Sequence, residues 1–293
     1  MHSIDVRIAH AFMDGEDGGN PAGIVLDADG LSEAAMQAVA TRVGLSETAF
    51  VSRSRIATRR LSFFTPTRRI AHCGHATVAS FALLAERREL GDGEVSHETV
   101  DGVRRIVLDG GSTFLEQAAP SYRPTPVSPA RIMGALGVHA DALADDADPM
   151  VVSTGLPFLL VPMRDVATLA AVRPDASALE VLSEDLDLVG VYAFTDTSTT
   201  VGRHATARMF APRYGIAEEA ATGMAAGPLA AYLHDVAGVQ DARLWIEQGA
   251  LMPAPSPSLL EVRLDVRDGR VAGLMVGGRA RQTGRVRVTL DAA

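Results

Sequence analysis

The chain has 293 residues, 47% of them hydrophobic, and a formal net charge of −9; that length suits one large or two medium domains with a real core in each, and the negative charge argues against nucleic acid as a partner. All 27 basic residues are arginine, so an internal Schiff base with pyridoxal phosphate and a Walker A phosphate loop are both excluded. Cys73 is the one cysteine, which excludes a disulfide within the chain, a two-thiol racemase and a structural zinc site built on several cysteines.

The segment Met1–Arg7 lacks a basic start followed by an apolar run, and no apolar run approaches a membrane span, so a soluble cytoplasmic protein is expected. From Ile4 to His10 apolar and polar residues alternate, which predicts a half-buried strand. Asp14–Asn20 is a glycine-rich acidic loop, and Gly23–Leu26 is a short buried strand. Ser32 is a good N-cap for a helix with Leu31, Ala35, Val39 and Val43 on one face, and Gly44 stops it. Leu45–Val51 reads as the next strand and carries Glu47. Arg60–Phe64 is a strand, and a helix follows from about Gly74 to Glu86. Val103–Leu108 and Ser112–Gln117 predict a hairpin around Asp109-Gly110-Gly111.

Three prolines mark residues 119–128 as a linker. The expected halves are residues 1–120 and 129–293, with the chain ends free to cross between them. Past a short helix at Pro129–Leu136, strands are expected at Val151–Thr154, Phe158–Val161, Gly190–Phe194 and Thr206–Phe210. Val166–Ala171 and Ala176–Ser183 have helical composition. Thr222–Leu233 is a helix with Pro228 inside it, which either kinks it or places its start nearer Gly227. Leu244–Glu247, Leu259–Val266, Arg270–Val276 and Arg285–Leu290 are strands, with Asp268-Gly269 a strong hairpin turn.

The two halves repeat one another. Phe64, Pro66, Ile70 and Ala71 match Phe210, Pro212, Ile216 and Ala217; three extra residues then bring Gly74 onto Gly223 and Leu84 onto Leu233. Gly19–Leu26 resembles Gly155–Pro162, and Glu47–Val51 resembles Val191–Thr195, which sets Glu47 against Val191. Four matches in one order argue for two related domains, expected to face a common cleft with one glycine-started helix from each pointing in.

Chemistry concentrates at those helix starts. Free N–H groups and the helix dipole at Cys73-Gly74-His75 and Thr222-Gly223-Met224 suit a carboxylate or phosphate; the alternative is that each glycine only eases packing. Glu47 is the one charge between Gly44 and Val51. Beside apolar strand residues its pKa is expected to rise, which would let it move protons near neutral pH; otherwise it is an exposed strand residue. In the first helical turn His75 is expected to be held neutral by the dipole and to shuttle a proton or donate to a ligand. Glu218 or Glu219 offers a second acid/base group, or simply complements the next helix dipole. Cys73 is a nucleophile or a small filler. With His72 and His75 a metal site would need a third ligand that the sequence does not identify, and no metal is expected.

Gly19-Asn20-Pro21, Leu45-Ser46-Glu47-Thr48-Ala49-Phe50, Cys73-Gly74-His75-Ala76-Thr77, Ser153-Thr154-Gly155-Leu156-Pro157 and Ala221-Thr222-Gly223 with Ala226-Gly227-Pro228-Leu229-Ala230 resemble the PhzF-like family, the phenazine-biosynthesis isomerase and its relatives. The resemblance runs to about Gly249. It implies the diaminopimelate-epimerase-like fold of α/β (α+β) type: two pseudo-symmetric halves, each a mostly antiparallel sheet rolled around a central helix. It also implies a cofactor-independent isomerase, usually a homodimer, with Glu47 as general acid/base and His75 contributing. Glu219 stands where the family motif has aspartate, Met224 where it has serine, and Ala71-His72 where it has Pro-Phe. The expected enzyme transfers a proton on a small carboxylate-bearing substrate, with Glu47, His75 and Glu219 catalytic and Asn20, Gly74, Thr222, Gly223 and Met224 binding substrate. The alternative is a non-catalytic small-molecule-binding scaffold with a decayed acid/base set.

Overall fold

The computed structural model describes residues 2–145, 147–198 and 200–290. The chain divides into two compact units: unit 1 holds the described residues through Glu116 and those from Gly277 onward, and unit 2 is Gln117–Val276. The closing segment therefore belongs with unit 1, and the stretch read as a linker begins inside unit 2.

Unit 1 runs β1 (His2–Ala11), β2 (Asn20–Val25), α1 (Glu33–Val43), β3 (Thr48–Ser52), β4 (Arg59–Phe64), β5 (Arg69–Ile70), α2 (Gly74–Glu86), β6 (Gly93–Thr99), β7 (Gly102–Asp109) and β8 (Ser112–Gln117). Helix α1 begins where the Ser32 hydroxyl accepts from Ala35 N–H and ends at Gly44, whose φ of 71° only glycine adopts at no cost. All but four of the thirteen α2 residues are buried, and the helix packs on β1, β2, β3 and β7. A helix apolar on every side needs such a sheath.

Unit 2 runs β9 (Ser121–Pro124), α3 (Pro129–Ala135), β10 (Met150–Ser153), β11 (Pro157–Pro162), α4 (Val166–Ala171), α5 (Ala176–Leu186), β12 (Gly190–Thr195), β13 (Ala205–Ala211), β14 (Ile216–Glu219), α6 (Gly223–Asp235), β15 (Arg243–Gln248) and β16 (Ser258–Arg267). The proline-rich stretch thus carries a strand, β9, which pairs with β10. Asp268 (φ 51°) and Gly269 (φ 74°) then make the expected turn into β17 (Arg270–Leu290). β17 is one strand where two were expected. In unit 1 its later part runs antiparallel to β1, from Ala11↔Ala280 to His2↔Leu290. It also lies beside β8 and so closes the unit 1 strands into a barrel around α2. A Cβ on Gly277 would stand 2.3 Å from the Thr113 carbonyl oxygen, so only glycine fits that contact.

Helix α6 starts at Gly223 and runs through Pro228. Pro228 removes one amide donor in the second turn. Just before it, a Cβ on Gly227 would lie 2.1 Å from Gln117 Oε1; that glutamine donates to the Gly223 carbonyl at 2.8 Å and accepts from the Thr154 hydroxyl at 2.6 Å. No described helix is long and apolar enough to cross a membrane.

Strand pairing bears out the repeat and corrects its alignment. In unit 1 β2 is parallel to β3, β3 antiparallel to β4, and β4 antiparallel to β5 and parallel to β6. In unit 2 β11, β12, β13, β14 and β15 repeat those relations. Thr48 pairs with Gly23 and Phe64; Val191 pairs with Leu159 and Phe210. Thr48 therefore corresponds to Val191, and Glu47 to Gly190, one residue away from the sequence match. Phe63 pairs with Ile70, and Met209 with Glu219. Ile70 thus corresponds to Glu219, and the three extra residues lie before Glu219, where unit 2 has a 3-10 turn at Pro212–Tyr214.

Candidate active site

In unit 1 four buried side chains meet at the start of α2. Glu47 stands in the last residue before β3, so the carboxylate lies at the end of the strand rather than within it. Its backbone carbonyl accepts from Gly23 N–H at 3.0 Å, which ties this end of β3 to β2. Asn20 opens β2, and Cys73 and His75 flank Gly74 at the N-terminus of α2. Asn20, Glu47, Cys73 and His75 are each less than one-tenth exposed.

His75 Nε2 lies 3.3 Å from Glu47 Oε2. The contact is an ion-pair distance without hydrogen-bond alignment, and Oε2 has no hydrogen bond among the described residues. On the other side of the ring, Asn20 Nδ2 is 3.2 Å from Nδ1. With the amide nitrogen facing it, Nδ1 accepts and the remaining nitrogen carries the proton toward Glu47. Turning the amide over would present Oδ1 and suit a ring protonated on both nitrogens. Asn20 thus has a pose for each protonation state of the imidazole.

The charges differ from the sequence expectation. Burial drives the Glu47 carboxyl up, yet the contact with His75, its charge and a bond from Ser46 outweigh burial and hold the pKa below the ordinary glutamate value. Burial also opposes a charged His75, but Cys73 and Glu47 raise its pKa well above the histidine norm. Burial pushes the Cys73 thiol up as well; near neutral pH Cys73 is therefore a thiol, and the anion that sustains the imidazolium is Glu47. Two unit charges 3.3 Å apart interact by about 5 kcal/mol at an effective dielectric of about 20. A helix N-terminus opposes a cation by only about 0.3–1 kcal/mol. The carboxylate wins, and the dipole-neutralised histidine expected from sequence is replaced by an ion pair. A raised thiol pKa also argues against Cys73 as a nucleophile.

Unit 2 builds its site from a net of hydrogen bonds around Glu219 and Gln248. Glu219 ends β14 half-buried, and Thr222 Oγ1 donates to its Oε2 at 2.5 Å. Gln248, fully buried at the end of β15, organises the rest. Its Oε1 accepts from the Tyr192 hydroxyl at 2.9 Å and from Thr222 N–H at 3.1 Å. Its Nε2 donates to the Glu219 carbonyl at 2.7 Å and to Thr222 Oγ1 at 3.1 Å. Burial and then the Glu219 charge raise the Tyr192 pKa far above the tyrosine norm, so the hydroxyl stays a donor. Glu218 is used elsewhere: Arg208 grips it with two bonds of 2.8 Å. Gly223 and Met224 open α6 as expected, and Met224 occupies the helix position of His75. Neither Cys73 nor Thr222 caps its helix with a side-chain bond.

The sequence-selected residues therefore gather in two sets. Asn20, Glu47, Gly74 and His75 meet in unit 1; Glu219, Thr222, Gly223 and Met224 meet in unit 2. His72 turns away to Asp101, 2.5 Å from its Nε2. Tyr192 and Gln248 carry no local sequence signal, because a buried glutamine becomes visible as a hub only through partners 26 to 56 residues away. His72 and His75 are thus not brought together as a pair of metal ligands, and a different trio forms around His75. Glu47, Cys73 and His75 each offer a ligand atom, all within 4.8 Å of one another.

The profile of a family described as "Phenazine biosynthesis-like protein" (PhzC-PhzF) matches residues 9–283. An uncharacterized isomerase of Escherichia coli O157:H7 is 32% identical over 271 residues, covering 89% of this chain and 90% of the relative. A trans-2,3-dihydro-3-hydroxyanthranilate isomerase of Pseudomonas aeruginosa is also 32% identical, over 73% of this chain and 74% of its own. Among solved structures, a PhzF-family protein of Bacillus anthracis superposes with a TM-score of 0.91 at 27% identity, covering 99% of this chain and all of that one. A probable proline racemase from Agrobacterium radiobacter has the same fold, with a TM-score of 0.65 at 13% identity over 98% of this chain and 93% of its own.

Proposed function

The chain belongs to the PhzC-PhzF family and is an isomerase, and from that premise we propose that it moves a proton between carbons of a small carboxylate-bearing substrate by general acid/base catalysis without a cofactor. The observation that carries this reading is the buried ion pair of Glu47 and His75 at 3.3 Å. A carboxylate held ionised by a neighbouring cation is ready to accept a proton from a C–H bond. The electrons of that bond delocalise into the substrate, and the protonated Glu47 returns its proton to another carbon. Within the pair His75 supports each charge state of Glu47, and the Asn20 amide follows the ring.

The substrate carboxylate is proposed to bind at a helix start, that at Gly74 in unit 1 or that at Thr222-Gly223 in unit 2, where backbone N–H groups and the dipole favour an anion. Glu219, supported by Thr222, is the assisting acid/base group. Met224 contributes a thioether, which neither donates nor strongly accepts. A substrate matched to it has an apolar edge there, which separates it from the trans-2,3-dihydro-3-hydroxyanthranilate named for the Pseudomonas aeruginosa relative. A cytoplasmic homodimer completes the proposal. Membership of an isomerase family favours an enzyme over the binding scaffold that the sequence left open.

The test is solvent exchange. Wild type and Glu47→Gln are incubated in D2O with trans-2,3-dihydro-3-hydroxyanthranilate and a panel of amino and hydroxy acids, and loss of C–H signal is followed by NMR. Wild type is expected to exchange at least one compound, and the variant to do so roughly 10²–10⁴-fold more slowly. Equal rates would remove Glu47 from the mechanism.

A further inference from the structure

Cys73 has no task in the proton transfer, yet its sulfur faces the imidazole that does. Sγ lies 3.6 Å from His75 Nδ1 and 3.8 Å from Nε2. Nε2 in turn lies 3.3 Å from Glu47 Oε2. Zinc binds histidine nitrogen and carboxylate oxygen at about 2.0–2.2 Å and cysteine sulfur at about 2.3 Å in a tetrahedron. Those bond lengths put nitrogen and oxygen about 3.3 Å apart and sulfur and nitrogen about 3.5 Å apart. The side chains stand close to these separations, at 3.3 Å for oxygen and nitrogen and 3.8 Å for sulfur and nitrogen.

A second observation concerns Glu47. Its side chain is nine-tenths buried, and Oε2 faces the imidazole with no hydrogen bond among the described residues. The ion pair with His75 offsets its charge, yet no described group donates a hydrogen bond to it, which leaves lone pairs for a further ligand. We propose that Glu47 Oε2, Cys73 Sγ and His75 Nε2 form a zinc site that inhibits the enzyme, with the fourth position open to water or to a substrate atom.

Charge supports this. When Zn2+ binds, the S–H bond of Cys73 and any N–H bond at His75 Nε2 break, and the protons leave to the buffer. A thiolate, a carboxylate, a neutral imidazole and a divalent cation sum to zero, so the occupied buried site carries no net charge. Asn20 completes the arrangement: with its amide turned, Oδ1 accepts from Nδ1–H and leaves Nε2 for the metal, the outer-shell role that orients a metal-bound histidine. The mixed sulfur, nitrogen and oxygen set selects zinc or cobalt over magnesium, which requires oxygen ligands in an octahedron. Inhibition rests on the reading of Glu47 as the base, since the metal takes the oxygen that would accept the proton.

Cobalt is the probe, added to the full-length protein without substrate. Tetrahedral ligand-field bands and a thiolate-to-cobalt charge-transfer band are expected, and Zn2+ should displace both while Mg2+ does not. Cys73→Ser should abolish the charge-transfer band and weaken zinc binding, measured by competition with a chelating dye, by more than about 100-fold, beyond the loss of an outer-shell partner. Glu47→Gln should keep the charge-transfer band and bind zinc more weakly, which guards against a misfolded cysteine variant. Absence of the thiolate band in wild type, or equal zinc affinity in wild type and Cys73→Ser, overturns the site. In the exchange assay zinc should stop wild-type turnover and a chelator should restore it. Zinc bound with exchange unchanged would overturn the inhibitory role and the reading of Glu47 as base, while the metal site itself would stand on the cobalt spectrum.

Discussion

Helices α2 and α6 have equal length, begin with a glycine, and lie among the same succession of strand pairings, but they carry different chemistry at their starts. Unit 1 places an ion pair there, and unit 2 places a hydrogen-bonded net around Gln248. The carboxylates occupy non-equivalent positions of the repeat. Glu47 stands where unit 2 has Gly190, and Glu219 where unit 1 has Ile70. Nor are the swaps free: a Cβ on Gly190 would lie 2.5 Å from the Phe210 carbonyl oxygen. The duplicated fold therefore supplies two similar helix starts, while local packing decides at which position of the repeat each carboxylate can stand.

Substitutions that make one unit resemble the other test this contrast. The largest effect is expected from the carboxylates. Glu47→Gln should lower turnover by roughly 10²–10⁴-fold, about 3–5 kcal/mol of barrier, and Glu219→Gln by less; equal losses in steady-state assays would mean that the two carboxylates share the work. Next, Gly190→Ala should cost about 3 kcal/mol in urea unfolding, because backbone rather than a flexible side chain blocks the added methyl. An unchanged midpoint would show that unit 2 could have held a side chain there after all.

A third difference is His97. It is buried in β6 against Phe81, with neither ring nitrogen hydrogen-bonded among the described residues. Its pairing with Arg59 matches that of Ile246 with Ala205 in unit 2. Burial, then the charges of Arg104 and His72, lower its pKa to about 4, against about 6.5 in the unfolded chain. The folded state thus binds fewer protons between these values. Stability from this group is complete above about pH 6.5, is lost as the pH falls toward about 4, and is level below that, with a ceiling of about 3 kcal/mol. His97→Ile should flatten that part of a pH–stability curve; an unaltered slope would place the acid sensitivity elsewhere. The smallest effect is expected for Gln248→Leu, about 1–3 kcal/mol from unpaired buried groups in unit 2, read by thermal unfolding with no change in cobalt binding by unit 1.

Much of this was legible in the sequence wherever the signal was local. The Ser32 cap, the glycine-started helices and the Asp268-Gly269 turn depend on a few adjacent residues and fall where expected. Strand β6 did not stand out, because Gly93–Thr99 is largely polar and only His97 and Thr99 are buried. Prolines disguised β9, and Gly277-Gly278 and Gly284 divided β17 into two apparent strands. The one-residue slip at Glu47 came from matching the Ala-Phe pairs of two strands, where similarity of residues cannot fix register but cross-strand pairing can. Glu47 and His75 were recognisable as candidates. Their charge states were not, since nothing local tells that residues 28 apart stand 3.3 Å from one another.

The continuous strand β17 bears on how the chain is made. Unit 2 is one uninterrupted stretch, whereas β1 pairs with residues 280–290. A ribosome delivers β1 before unit 2 and its partner after it. Until then β1 can join β2 but exposes its other edge, with Ile4 and Val6 lacking the strand that covers them. Unpaired edges invite pairing with other chains. During synthesis unit 2 is therefore expected to become protease-resistant before unit 1, and shortening the chain within 280–290 should leave nascent unit 1 dependent on chaperones.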